Sequence, residues 1–478
     1  MTRKHSNDRP AWQLSAVALA DCYRSGQLSP VDALEAILER IAAVNPSLNA
    51  IVTLDPDGAR RAAQASSARW RRAQPLGPLD GVPITIKDNL EVAGLRCTWG
   101  SRLFADHRPL EDELPVARLR AAGALILGKT NCSEFAMVGH TANEVFGATR
   151  NPWDTRLTAG GSSGGAVAAV AAGLGPLALG TDGGGSTRRP AAHCGLVGYK
   201  PTIGRLPRAG GLPAIFLDYE VIGPIARTVD DVVLLAQALA EPDPRDPASQ
   251  AFVHQAFEPP SRTGPLRILH IRSFGDAPVE PDIAALTDSA AERFAALGHQ
   301  VEHADQWPIA ESVSARWMQL AQSGLAQMLS ARGADPALLS PIAQASLDAG
   351  RALPATALFE LLDEVAVLRQ RLGQCLSEHD FLLTPATAAW PWPVERVYPD
   401  VIAGRTAGPR GHAVFTAFVN AAGLPAIALP CGQSASGLPN GLQLVGRWGD
   451  DARLLALARD WERIERGFEH WPGVPNAG

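Results

Sequence analysis

The stretch "LALGTDGGGSTRRPAAHCG", residues 177–195, passes from a short apolar run directly into three glycines and a serine. "LALGTD" reads as a buried strand, so Gly183, Gly184, Gly185 and Ser186 fall at a strand end, where α/β sheets bind their ligands. Glycine costs conformational entropy on folding, so its repeated use implies a need for bare backbone. Successive N–H groups free of side-chain bulk are what an oxyanion hole requires. Just upstream, "TAGGSSGGAVAAV", residues 158–170, again sets serines among glycines.

Outward from these segments the chain alternates strands and helices. Short apolar strands are expected at "GVPITIKDN", ending at Lys87, at "GALILGKTN", ending near Lys129, and at 177–182, 266–271, 381–386, 425–430 and 442–447. Helices are expected near 57–73 and over 115–122, 164–174, 228–240, 282–297, 355–377, 412–422 and 451–464. "SPVDALEAILERIAAVNP", 29–46, carries an N-cap serine, Pro30 at N1 and Asp32 in a capping-box position, with Asn45-Pro46 expected to end the helix. The pattern is that of an α/β fold with a largely buried sheet. Residues 241–265, rich in Pro, Asp and Ser, read as a surface connector.

The 478 residues are 46% apolar and 19% charged, enough for a large core. A net charge of −6 without basic blocks gives nucleic-acid binding little support. Six scattered cysteines form no CxxC pair, which removes zinc and redox motifs and fits buried thiols in a reducing compartment. No run approaches the roughly 18 apolar residues of a membrane span. Leu14–Ala20 meets only the minimum length of a signal core and is broken by Ser15, so an amphipathic helix toward Tyr23 is the better account. A cytoplasmic protein is expected.

Several chemistries compete for the glycine-serine segments. A Walker loop needs a Lys before its Ser/Thr, and neither segment has one. "GGSSGG" contains two overlapping GxSxG matches, centred on Ser162 and Ser163, but a nucleophile elbow needs a strand entering the serine. "NPWDTRLTA" reads as a loop instead. An N-cap role for Ser162 or Ser163 on the small-residue helix that follows accounts for one segment but not the other.

The ordered set "PITIKDN", "TAGGSSGGAVAAV" and "LGTDGGGSTRRPAAHCGLVGYKPT" strongly resembles the amidase signature family. The 24-residue spacing from Ser162 to Ser186 agrees, as do "RNPWD", "KTNCSEF", "GPIART" and, later, "TPATA", "NAAGLPAIALP" and "GLQLVGR". The resemblance implies one domain over 1–478 built on a large mixed central sheet covered on both faces by helices. Its parts are an N-terminal helical segment (about 10–75), a signature core (76–240), the connector (241–265) and the remaining sheet and pocket elements (266–478). It implies an amidohydrolase with Ser186 as nucleophile, Ser162 as a cis-serine proton relay and Lys87 as base. The N–H groups of Gly183, Gly184, Gly185 and Ser186 supply the oxyanion hole, and Ser163 and Arg188 support the loops. Making a free lysine neutral at pH 7 costs about 4.6 kcal/mol, so such a base must be buried.

The resemblance further implies a small-molecule amide substrate, no cofactor or metal, and a homodimer. Met137, Phe216, Trp390 and Trp392 are the candidate pocket residues, which as a set favour aryl or alkyl amides. Gly183 stands where the family often has a larger residue, so a looser loop is expected, and Arg189 is expected at the solvated surface. The competing function within the family is the glutamine-hydrolysing subunit of a tRNA-dependent amidotransferase; the absence of tyrosine between Tyr219 and Tyr398 argues for a free-standing amidase. Outside it stand a GxSxG esterase and an inactive scaffold, the latter opposed by intact Lys87, Ser162 and Ser186.

Overall fold

A computed structural model describes residues 9–261 and 263–473. Eleven strands form one sheet: β1 (Ile51–Leu54), β2 (Pro83–Lys87), β3 (Leu125–Thr130), β4 (Leu177–Asp182), β5 (Val197–Lys200), β6 (Val221–Ala226), β7 (Arg267–Ile271), β8 (Gln300–Ala304), β9 (Phe381–Pro385), β10 (Ala426–Gln433) and β11 (Pro439–Val445). Their spatial order is β1-β3-β2-β4-β6-β5-β10-β11-β9-β7-β8. The trios β3-β2-β4 and β9-β7-β8 are parallel, and the strands between them pair antiparallel. The sheet is therefore mixed, and its central strands are buried on both faces.

The N-terminal helices form where local chemistry directs them. α1 (Ala16–Ser25) starts on Ser15, whose hydroxyl accepts the Ala18 N–H, and stops at Gly26 in the left-handed region. α2 (Pro30–Leu48) opens on the expected box: Ser29 accepts the Asp32 N–H and donates its own hydroxyl to Asp32 at 2.7 Å. It does not end at Asn45-Pro46. Pro46 lies in the last turn, where the missing N–H forfeits a single bond, and Asn49 in the left-handed region closes the helix. Asn45 accepts the N–H groups of Ala50 and Ile51, turning the chain into β1.

α3 (Pro56–Arg71), α4 (Leu114–Ala121), α5 (Gly164–Ala171), α6 (Arg188–Cys194) and α7 (Val229–Leu239) accompany the first half of the sheet. The second half carries α8 (Pro281–Ala296), α9 (Glu311–Arg316), α10 (Met318–Ala331), α11 (Pro341–Ala352), α12 (Ala355–Glu378), α13 (Ala417–Ala422) and α14 (Asp451–Glu462). Three large apolar clusters and one small one, of Ala389, Ile402 and Ala407, result among the described residues. One joins α1, α7 and α14 to the sheet, a second joins α9–α12 to α13, and a third packs α2 and α5 on the sheet. Strands β1, β5, β6 and β8 and helices α6, α9, α10 and α11 go beyond the sequence expectation. The 241–265 connector is tied down by buried Phe252 and Phe257. All six cysteines are free, and Cys22 and Cys375 are half-buried rather than buried. No described helix is long and apolar enough to cross a membrane.

Candidate active site

Strands β2 and β4 are parallel neighbours, with Ile86 opposite Leu179, so Lys87 and the Thr181-Asp182 pair emerge at the same sheet end. Over that end lies the loop entering α5. This helix is buried along its whole length. It comes so close to the strand β3 exit that a Cβ on Gly165 would meet the Asn131 carbonyl oxygen at 2.6 Å. That approach brings Ser162 over Lys87.

Lys87 Nζ donates to Ser162 Oγ at 2.8 Å and to Thr181 Oγ1 at 2.9 Å. The side chain is fully buried, and loss of hydration pushes its pKa down to about 8. The negative charges of Glu220 and Asp182 pull upward against this, and Arg208 adds to the fall. Asn89 bridges Thr181 Oγ1 (2.9 Å) and Glu220 (3.1 Å), and Glu220 in turn accepts from Arg208 at 2.8 Å.

The Gly161–Ser162 peptide bond is cis. Ser163 stands at the N-cap of α5 without capping it; its hydroxyl donates to the Thr181 carbonyl and its N–H to the Ser186 carbonyl, both at 3.2 Å. Thr141 Oγ1 takes the Gly164 N–H instead. Ser163 thereby ties the two glycine-serine loops together.

Ser186 follows the glycines and keeps 8% of its surface exposed, against none for Ser162 and Lys87. The glycine turn is pinned from outside. Asp182 accepts the N–H groups of Gly185 (2.7 Å) and Thr187 (3.1 Å) and a bidentate bond from Arg188 (3.0 and 2.8 Å). Arg188 also donates to Gln443 (2.7 Å) and Asn420 (2.6 Å). These partners hold the Asp182 carboxyl far below the usual carboxylate range, although burial alone would raise it. The Gly183 carbonyl accepts from Trp317 and that of Gly184 from Thr416, each at 2.8 Å.

Three expectations need correction. Gly185 is expected among the oxyanion donors, but its N–H is committed to Asp182. The N–H groups of Gly183, Gly184 and Ser186 carry no hydrogen bond among the described residues. Arg189 is buried rather than solvated: its guanidinium donates to the Gly184 carbonyl (2.5 Å) and Thr416 (2.9 Å), bracing the turn from behind. Nor does Gly183 leave a gap, because a Cβ there would meet the Phe216 ring at 2.9 Å. Of the other pocket candidates, Met137 is buried in the turn after Glu134–Ala136 and Trp390 is half-buried. Trp392 donates to the Arg396 carbonyl and packs on His193 and His412.

Asp182, Asn420 and Gln443 lie inside the quoted motifs "GTD", "NAAGLP" and "GLQLVGR", and their polar character on apolar elements was the available signal. Asn89 closes the quoted motif "PITIKDN" and carries the same signal, whereas Trp317, Thr416 and Glu220 carry none.

The architecture is that of enzymes that hydrolyse amides. A family model described as "Amidase" matches residues 32–455, and the chain belongs to that family. It is 37% identical over 464 residues to an acylamidase of Rhodococcus erythropolis, covering 94% of this chain and 95% of that one. It is 36% identical over 498 residues to a glutamyl-tRNA(Gln) amidotransferase subunit of Roseiflexus castenholzii, covering 98% and 99%. Among solved structures, a bacterial aryl acylamidase of the amidase signature family superposes with a TM-score of 0.88 at 29% identity, covering 98% of this chain and all of that one.

Proposed function

We propose that the chain is a free-standing serine amidase, acting on a small-molecule amide through an acyl-enzyme on Ser186. The observation that carries this is the fully buried Lys87 amine, 2.8 Å from Ser162 Oγ, with its pKa brought to about 8. A neutral amine there accepts the Ser162 hydroxyl proton, Ser162 takes the Ser186 proton, and Ser186 Oγ bonds to the amide carbonyl carbon. The carbonyl oxygen, now negative, lies against the N–H groups of Gly183, Gly184 and Ser186. The proton returns from Lys87 through Ser162 to the leaving nitrogen, the C–N bond breaks, and acyl-Ser186 remains. Water then repeats the sequence, giving the acid and restoring Ser186.

Ser163 and Arg188 hold the loops in this scheme without touching the reacting atoms. Phe216 lies beside the glycine turn and is the pocket candidate best placed to meet an acyl group. The scheme uses no cofactor. One catalytic domain working as a cytoplasmic homodimer is part of the same proposal.

Fluorophosphonate labelling with peptide mapping tests it. The expected result is an adduct on Ser186 that forms far more slowly in Lys87→Ala, together with hydrolysis of simple aryl or alkyl amides by the wild type. An adduct on Ser162 or Ser163 that ignores Lys87 would overturn the scheme. The high identity to amidotransferase subunits supplies the second reading, glutamine hydrolysis within a larger assembly. Glutaminase activity that appears only with partner subunits would favour it.

A further inference from the structure

Trp317 lies at the junction of α9 and α10, about 130 residues beyond the glycine turn, and is fully buried. Its indole N–H donates to the Gly183 carbonyl at 2.8 Å. In a trans peptide unit the C=O and N–H point in opposite directions. Anchoring the Gly183 oxygen on the indole therefore turns the Gly184 N–H the other way, and that N–H carries no hydrogen bond among the described residues. The bare backbone at position 184 leaves the indole room, as a Cβ there would lie 3.2 Å from the indole nitrogen.

The tryptophan is itself held in place. Phe216 stacks on it, with centroids 5.9 Å apart and planes at 21°, and Tyr219 meets its ring edge-on at 5.4 Å. The Phe216 ring occupies the space that a side chain on Gly183 would need. Gly183, Phe216 and Trp317 thus form one unit in which the small residue admits a ring, the ring holds the indole, and the indole holds the turn.

We propose that Trp317 is a positioning residue for acyl transfer, setting the direction of the Gly184 N–H toward the developing oxyanion. The role rests on the acyl-enzyme reading above. A donor removed outright from an oxyanion hole costs about 10²–10³ in rate. Trp317 acts through one peptide unit, so about a tenfold loss is expected.

The test compares inactivation by a fluorophosphonate in the wild type, in Trp317→Phe, and in a protein carrying β-(3-benzothienyl)alanine at 317. The last replaces the indole N–H by sulfur while keeping the bicyclic shape, and it decides the matter if Trp317→Phe does not fold. The expected result is an inactivation rate constant about tenfold lower, with reagent binding unchanged in the benzothienyl protein. An unchanged rate constant would overturn the role, as would a loss confined to reagent binding, which would make the indole a pocket wall. A wild type that takes no label on Ser186 would overturn the acyl-enzyme reading and the role of Trp317 with it. Labelling of the wild type and the benzothienyl protein at equal rates would overturn the role of Trp317 alone.

Discussion

Asp182 and Arg188, six residues apart, face each other wholly out of water, with guanidinium and carboxylate joined by two bonds of 2.8 and 3.0 Å. Removing one partner of a buried pair leaves the other charge uncompensated and costs about 3–5 kcal/mol. Asp182→Asn additionally weakens the acceptor for the Gly185 and Thr187 N–H groups. The expected outcome is a loss of that order in urea denaturation, with Ser186 labelling abolished.

The buried lysine predicts a pH profile. Only neutral Lys87 accepts a proton, so kcat/KM for an amide is expected to rise with pH through about 8 and level off above it. Initial rates from pH 6 to 10 on one substrate check this. A limb near the ordinary lysine value would show that burial does not set the base.

Glu220 offers a way to move that limb. Its charge raises the Lys87 pKa, whereas Arg208, which it partners, lowers it. Glu220→Gln removes the first influence and leaves more of the second, and both changes act downward. The limb should shift to lower pH, and the displacement is read from the same rate profile.

The same lysine ought to cost stability. Its unfolded pKa is near 10.5 and its folded value about 8, so between those pH values the unfolded chain binds the proton that the folded chain has released. Stability from this group therefore rises with pH across that window. Below it, the charged form is penalised by about 3 kcal/mol. Lys87→Met should be inactive yet more stable than the wild type at pH 7, with the difference shrinking toward pH 10. Paired urea titrations at the two pH values give the sign.

Gly165→Ala tests the close approach of α5. The added methyl would press on backbone atoms of Asn131, which cannot swing aside as a side chain can. Overpacking of this kind costs about 1–3 kcal/mol. A melting temperature equal to that of the wild type would contradict the packing.

The parts of this architecture legible in the sequence are those governed by local chemistry. Apolar runs marked β2, β3, β4, β7, β9, β10 and β11 because strands buried on both faces need no alternation. Val197–Lys200 and Val221–Ala226 were missed as strands because each is short and carries Gly or Pro. α9 and α10 lie in sequence with no side-chain cap, whereas α11 was missed although Ser340 caps it and Pro341 opens its first turn. Lys87, Ser162 and Ser186 stood out because each adjoins a motif of unusual composition. Trp317, Thr416 and Arg189 act on the turn through carbonyl oxygens that sequence does not display, so their roles appear only when the chain is folded. The bond from Gly185 to Asp182 is of the same kind: successive glycines look equivalent on paper, and backbone direction separates them.

The wiring of Arg188 has a consequence for biosynthesis. Its guanidinium is held by Asn420 and Gln443, which the ribosome adds more than two hundred residues after it, and Thr416 supports the neighbouring turn. A nascent polypeptide that has emerged as far as residue 400 contains Lys87, Ser162 and Ser186 yet lacks the brace that shapes their turn. On the proposed scheme, Ser186 is therefore expected to gain its reactivity only after Asn420 and Gln443 have been added.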